Sequence, residues 1–136
     1  MDSNSPILRS QRIVQICLFL FGAIGLFGGA LQFYLGQPQT VPRLDNIHRF
    51  MAGIYFISGV ICMWACFTVR QQGTLVYILG LGVFLAGTGR LVSISQVGLP
   101  EPAALWLGYM VPELLVPWIM IIAHMATQRR LAAMKG

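Results

Sequence analysis

Apolar residues dominate four stretches of this chain, and polar residues collect between them. The stretches are Ile13–Leu35, Phe50–Val69, Thr74–Ser95 and Ala103–Met125. Each is close to the ~20 residues that carry an α-helix across ~30 Å of hydrocarbon at ~1.5 Å per residue. The segments between them, Gly36–Arg49, Arg70–Gly73 and Gln96–Pro102, hold charges and turn formers. The last two are short, which makes helices two and three, and three and four, antiparallel neighbours. The pattern predicts an all-α membrane protein: one domain over residues 1–136, folded as a four-transmembrane-helix bundle. Arg9 and Arg12 precede the first stretch as in a signal peptide. That stretch is far longer than the usual ~7–15-residue apolar region, so a retained first helix is expected.

Composition supports this reading. The 136 residues are 57% hydrophobic and 10% charged, with a mean hydropathy of +0.73. Soluble domains carry about 25% charged residues. The net charge of +5 raises the question of nucleic acid, but the basic residues are dispersed and form no patch interleaved with aromatics. They set orientation instead. Arg9, Arg12, Arg70, Arg129, Arg130 and Lys135 fall on one side of a four-span topology, and only Arg43 and Arg49 on the other. The positive-inside rule then places both termini in the cytoplasm.

Small residues carry packing rather than chemistry. Cys17, Cys62 and Cys66 lie in apolar stretches without a C-x-x-C pair and read as small buried side chains. Gly22, Gly25 and Gly29 share one face of helix one, while Gly80 and Gly87, and Gly82 and Gly89, are each two turns apart in helix three. Small residues let helix backbones approach closely in lipid, so packing between helices is expected. The Gly36-x-Pro38 and Gly98-x-Pro100 pairs read as helix-ending punctuation. Pro112 and Pro117 should bend helix four near Glu113.

Two charges break the apolar pattern: Arg90 in helix three and Glu113 in helix four. A charge at bilayer depth costs at least about 2.5–3.5 kcal/mol on insertion scales and usually faces a partner or a polar cavity. Arg90 stands about five residues from the outer helix end, roughly 8 Å deep, and Glu113 about ten residues in, roughly 15 Å deep. The arginine stem can span much of that difference, so an Arg90–Glu113 pair is predicted. Trp106, Tyr109 and Glu113 share one face at i, i+3, i+7. Asp45, Asn46, His48 and Arg49 stand at the outer entrance of helix two, with Asp45 as a candidate N-cap. Together these residues suggest an outward cavity with Arg49, Arg90, Tyr109 and Glu113 in its wall, suited to a polar or anionic headgroup on an apolar tail. The competing reading is an ion pair that only fixes helix register.

Other chemistries lack residues to carry them. His48 and His124 fall at opposite ends of the spans and cannot share a metal or haem. No cofactor or metal motif is present, neither a P-loop nor G-x-S-x-G. No nucleophile is evident beside Glu113.

The segments Leu44-Asp45-Asn46-Ile47-His48-Arg49-Phe50, Gly53-x-Tyr55, Gly87-Thr88-Gly89-Arg90-Leu91-Val92-Ser93 and Gly98-x-Pro100, with Glu113, resemble a bacterial four-helix family of unknown function, number 4345. More loosely, the architecture is similar to small DoxX-like membrane proteins, some of which accompany oxidoreductases. The first resemblance implies Asn46, Arg49, Gly89, Arg90, Ser93 and Glu113 as motif residues and carries no activity with it. The resulting expectation is a multi-pass protein of the bacterial inner membrane. It is a non-enzymatic binding or accessory protein whose pocket (Asn46, Arg49, Arg90, Ser93, Tyr109 and Glu113) takes a lipid or small amphiphile. The alternatives are an accessory subunit of a larger membrane redox complex and a small lipid- or isoprenoid-modifying enzyme using Glu113.

Overall fold

A computed structural model describes residues 7–134. Lys135, counted above in the orientation argument, lies outside the described residues. The described chain is helical: α1 (Arg9–Leu35), α2 (Pro42–Phe67), a 3-10 turn at Val69–Gln71, α3 (Thr74–Val97) and α4 (Ala103–Ala133). All four α-helices are long and apolar enough to cross a membrane. The shortest, α3, has 24 residues, or about 36 Å of helix. Large apolar side chains such as Phe27, Phe67, Ile78 and Leu115 lie exposed. A water-soluble monomer rarely exposes so much apolar surface.

Two boundaries differ most from the sequence expectation. Helix α2 starts at Pro42 rather than Phe50, and α4 continues through Ala133 rather than ending at Met125. The apolar pattern marks the most hydrophobic stretch of each helix, whereas the helix ends follow local chemistry. Pro42 sits in the first turn, where its fixed φ suits a helix and its missing N–H costs nothing. Asp45 is therefore not the N-cap. That position is Val41, and it makes no side-chain cap.

The helix ends are otherwise well defined. Gln11 Oε1 accepts from the Leu8 amide at 3.1 Å, half of a capping box on α1. Gly36 and Gly98 end α1 and α3 with φ of +58° and +88°, as the punctuation predicted. Their amides return to Gln32 O and Ile94 O. Glu101 Oε2 accepts from the Ala103 amide at 3.1 Å, serving an orphan donor at the start of α4.

The chain forms two compact units. One is Gln15–Val69, an antiparallel hairpin of α1 and α2. Its seam is made of backbone. A Cβ on Gly25 would stand 2.8 Å from Gly59 Cα, and one on Gly29 would stand 2.7 Å from Phe56 N. Farther along the same seam, Gln15 Nε2 donates to Cys66 O at 3.2 Å and Cys66 Sγ donates to Gln15 O at 3.4 Å. The three cysteines are buried and free, consistent with packing residues.

The second unit joins the start of α1, up to Val14, to everything from Arg70 onward. Here α3 and α4 run antiparallel along a seam of three- and four-residue steps, close to the ~3.5-residue period of closely packed helix pairs. Tyr77 meets His124 edge-on at 4.9 Å, and Phe84 meets Trp118 at 5.2 Å. Gly80 faces Met120 and Ile121, and Gly87 faces Glu113 and Leu114. Gly82 and Gly89 face open space, so only one of the two glycine pairs packs. His124 Nε2 donates to Gly73 O at 2.9 Å and ties α4 to the turn before α3. Helix α4 remains continuous through Pro112 and Pro117. Each proline removes one intrahelical bond, so the carbonyls of Gly108 and Glu113 lose their usual i+4 donors.

Candidate functional site

The α3–α4 seam ends at its one charged step. Three residues beyond Gly87, Arg90 meets the residue that Gly87 already touches. Its Nε donates to Glu113 Oε2 at 2.7 Å and its Nη2 to Glu113 Oε1 at 3.2 Å. The ion pair read from the sequence is thus formed, as a two-point fork. Such forks fix geometry as well as charge. The absence of a side chain at Gly87 makes it possible: a Cβ there would stand 3.0 Å from Glu113 Cβ. The glutamate side chain is 15% exposed and the arginine 34%.

Aromatic rings hold the guanidinium from other directions. Its carbon lies 5.7 Å from the Tyr109 ring centre and 6.0 Å from that of Trp106, within cation–π reach. The two rings meet edge-on at 6.5 Å. Trp106 Nε1 donates to Glu101 O at 3.4 Å, which anchors the indole to the loop before α4. Trp106 therefore does more than mark a membrane interface. Its place in the i, i+3, i+7 stripe was the sequence signal for that.

Beside this cluster lies a cavity of about 100 Å³, lined by Arg90, Ser93, Ile94, Pro100 and Trp106. Small-molecule pockets usually measure about 300–1,000 Å³. This one suits a headgroup or a few waters. Glu113 occupies the Nε and Nη2 edge of Arg90, so the Nη1 donors are not needed for the pair. As lining residues, Arg90 and Ser93 give the cavity wall polar hydrogens for an oxygen-bearing group.

The model of a family described as a domain of unknown function, DUF4345, matches residues 12–124. The chain belongs to the DUF4345 family. No curated protein and no solved structure matches it. The matched residues span nearly the whole region on which the resemblance rested.

The motif residues divide between the two units. Gly89, Arg90, Ser93 and Glu113 lie in the α3–α4 unit, as does Tyr109. Gly89 leaves open space beside the arginine, with nothing within 4 Å of where a Cβ would stand. Asn46 and Arg49 lie in the α1–α2 unit, where Asn46 is exposed. Arg49 has a definite structural task. Its Nη1 donates to Phe33 O at 2.6 Å and Tyr34 O at 3.4 Å, and its Nε donates to Asp45 Oδ2 at 2.9 Å. Asp45 Oδ1 in turn accepts from the Gln37 amide at 2.5 Å. A cation is well placed at a helix C-terminus, where unpaired carbonyls carry partial negative charge. Arg49 and Asp45 thus clasp the end of α1, the connecting loop and the start of α2. Next to them, Gly29, Ala30, Phe33, Tyr34, Gly53 and Phe56 line an apolar groove of about 430 Å³.

Proposed function

We propose that this is a multi-pass protein of the bacterial inner membrane, with both termini cytoplasmic. Its role is non-enzymatic: it binds the polar headgroup of a lipid-like amphiphile at the outward end of α3 and α4. The carrying observation is the state of Arg90. One edge of its guanidinium is matched by Glu113 and its surroundings are aromatic, yet it also borders a cavity with Ser93. A purely structural pair needs only the first of these. Arg90, Ser93, Trp106, Tyr109 and Glu113 form the site in this reading. Arg90 and Ser93 donate to headgroup oxygens, Glu113 holds the guanidinium in place, and the rings exclude water. The cavity's small volume favours a headgroup inside and an apolar tail outside among lipid chains. It also argues against an enclosed quinone at this position.

Thermal melts of the purified protein, across a panel of native lipids in neutral detergent, test this reading. A ligand that binds only the folded state raises the melting temperature with concentration. One lipid class should do so in the wild type and in Glu101→Gln. The shift should be clearly smaller in the Arg90→Met/Glu113→Leu double variant. Equal shifts in the double variant would leave the pair as a structural device alone.

A further inference from the structure

The opposite end of the α3–α4 unit carries a second feature, which the sequence reading used only for orientation. The first turn of α1 lies against the last turns of α4, where Thr127 Oγ1 and Ser10 Oγ share a hydrogen bond of 2.7 Å. Both residues are buried, so this contact forms a polar floor. Above it opens a groove of about 450 Å³. Its lining combines Arg9, Ser10 and Arg130 with the apolar side chains of Ile13, Ile119 and Ile122. The arginines are exposed, and so are the three isoleucines.

We infer that this groove binds an anionic phospholipid, with its phosphate between Arg9 and Arg130 and an acyl chain along Ile13, Ile119 and Ile122. Three features on different helices support this occupant. First, Arg9 on α1 and Arg130 on α4 line the same groove, so both can donate to a phosphate held in it. A guanidinium matches phosphate oxygens with paired donors. Second, the wall changes from charged to apolar within one helical turn, from Arg9 to Ile13 on α1. It changes again along α4 between Arg130 and Ile122. That gradient matches a phospholipid, from headgroup to chain, and a soluble anion would leave the isoleucines bare. Third, the surrounding field is positive. His124 ties α4 to Gly73, which brings the Arg70 turn to the same end of the unit, and Arg12 and Arg129 add further charge. Basic residues at the membrane surface attract anionic lipid.

This site is separate from the Arg90 cavity and does not depend on it. Native mass spectrometry in neutral detergent, with phosphatidylglycerol titrated against phosphatidylcholine, reads the binding directly. The wild type should retain phosphatidylglycerol in preference to phosphatidylcholine, and inorganic phosphate should not displace it. Arg9→Gln/Arg130→Gln should weaken that binding by about thirtyfold, taking each arginine at its usual worth near an anionic surface. Arg9→Lys/Arg130→Lys, which keeps the charge, should recover part of it and show that the fold survives substitution at these positions. Arg129→Gln/Lys135→Gln removes as much charge, all of it near the C-terminus, and should weaken the binding far less. Arg90→Met/Glu113→Leu should also leave it intact, which separates this site from the proposed outward one. Equal retention of both lipids would overturn the inference. So would equal losses in the Arg9/Arg130 and Arg129/Lys135 variants, since binding would then be diffuse attraction. Displacement by inorganic phosphate would reduce the groove to an anion site and overturn the lipid assignment.

Discussion

Gly25 of α1 and Gly59 of α2 touch backbone to backbone: a Cβ on Gly25 would stand 2.8 Å from Gly59 Cα. Neither helix can yield locally there, because the contact is main chain on both sides. Gly25→Ala and Gly59→Ala should each force α1 and α2 apart and lose about 1–3 kcal/mol, the usual range for overpacking. Gly82→Ala offers the control, since nothing lies within 4 Å of its Cβ position. Relieving a helix-interior glycine there should be neutral or stabilising by up to about 1 kcal/mol. Melting temperatures of the three variants in one detergent check this. Equal losses at Gly59 and Gly82 would show that the seam is not where packing strength lies.

The Arg49–Asp45 clasp predicts a local effect at the end of α1. Arg49→Met removes bonds to two terminal carbonyls and leaves Asp45 without its cation. A modest loss of stability is expected, concentrated at that helix end. Hydrogen exchange should quicken most at the Gly36 amide, which bonds to Gln32 O, and at Gln37, which bonds to Asp45. Asp45→Asn should be milder than Asp45→Ala, because the amide oxygen can still accept from Gln37. Exchange that quickens evenly along α1 would point to general loosening instead.

These two cases show what the sequence could and could not disclose. The Gly22, Gly25 and Gly29 face was visible because small residues at helical spacing have one main use in lipid. The partner face on α2 was not, since Gly59 stands alone there and Tyr55 and Phe56 meet the stripe through their backbone. The Arg90–Glu113 pair was legible because burying either charge alone is so unfavourable. Asp45 misled, because a carboxylate before an apolar stretch resembles an N-cap. The helix had already begun at Pro42, and the carboxylate faces back toward Gln37 and Arg49. The bonds from Arg49 to the end of α1 were hidden as well, because carbonyls of another helix leave no mark in the sequence beside it. The Arg9–Arg130 groove was invisible because its two halves are 121 residues apart (130 − 9) and only the fold brings them together.

Orientation yields a prediction independent of any ligand. Six of the eight Lys and Arg residues outside Arg90 fall on the side of the termini: Arg9, Arg12, Arg70, Arg129, Arg130 and Lys135. A reporter fused after Gly136 should therefore read as cytoplasmic, and one inserted between Gly36 and Pro42 as periplasmic. Arg129→Glu/Arg130→Glu should weaken the preference without reversing it, because the N-terminal arginines and Arg70 remain. The reverse pattern in the wild type would place the Arg90 cavity on the cytoplasmic side and the Arg9–Arg130 groove outside.

The Arg90–Glu113 fork allows a structural role and a binding role to be measured in one set of proteins. Removing one member of a buried pair typically loses about 3–5 kcal/mol, because the other charge is left without compensation. Arg90 is a third exposed and can reorient its long side chain, so Glu113→Leu should fall toward the low end of that range. Arg90→Met should be the more damaging change, since it strands the less exposed glutamate. The double variant should recover most of the loss, giving a coupling of about 2–3 kcal/mol. Additive losses would mean that the fork contributes nothing as a pair. Tyr109→Phe serves as the companion measurement. It keeps the ring that faces the guanidinium and removes only the hydroxyl, so stability should hold. Tyr109→Leu removes the ring's quadrupole and should lose about 0.5–2 kcal/mol, in a way that disappears when Arg90 is already Met. If the Tyr109→Leu loss persists in the Arg90→Met background, the ring supports α4 packing and not the charge.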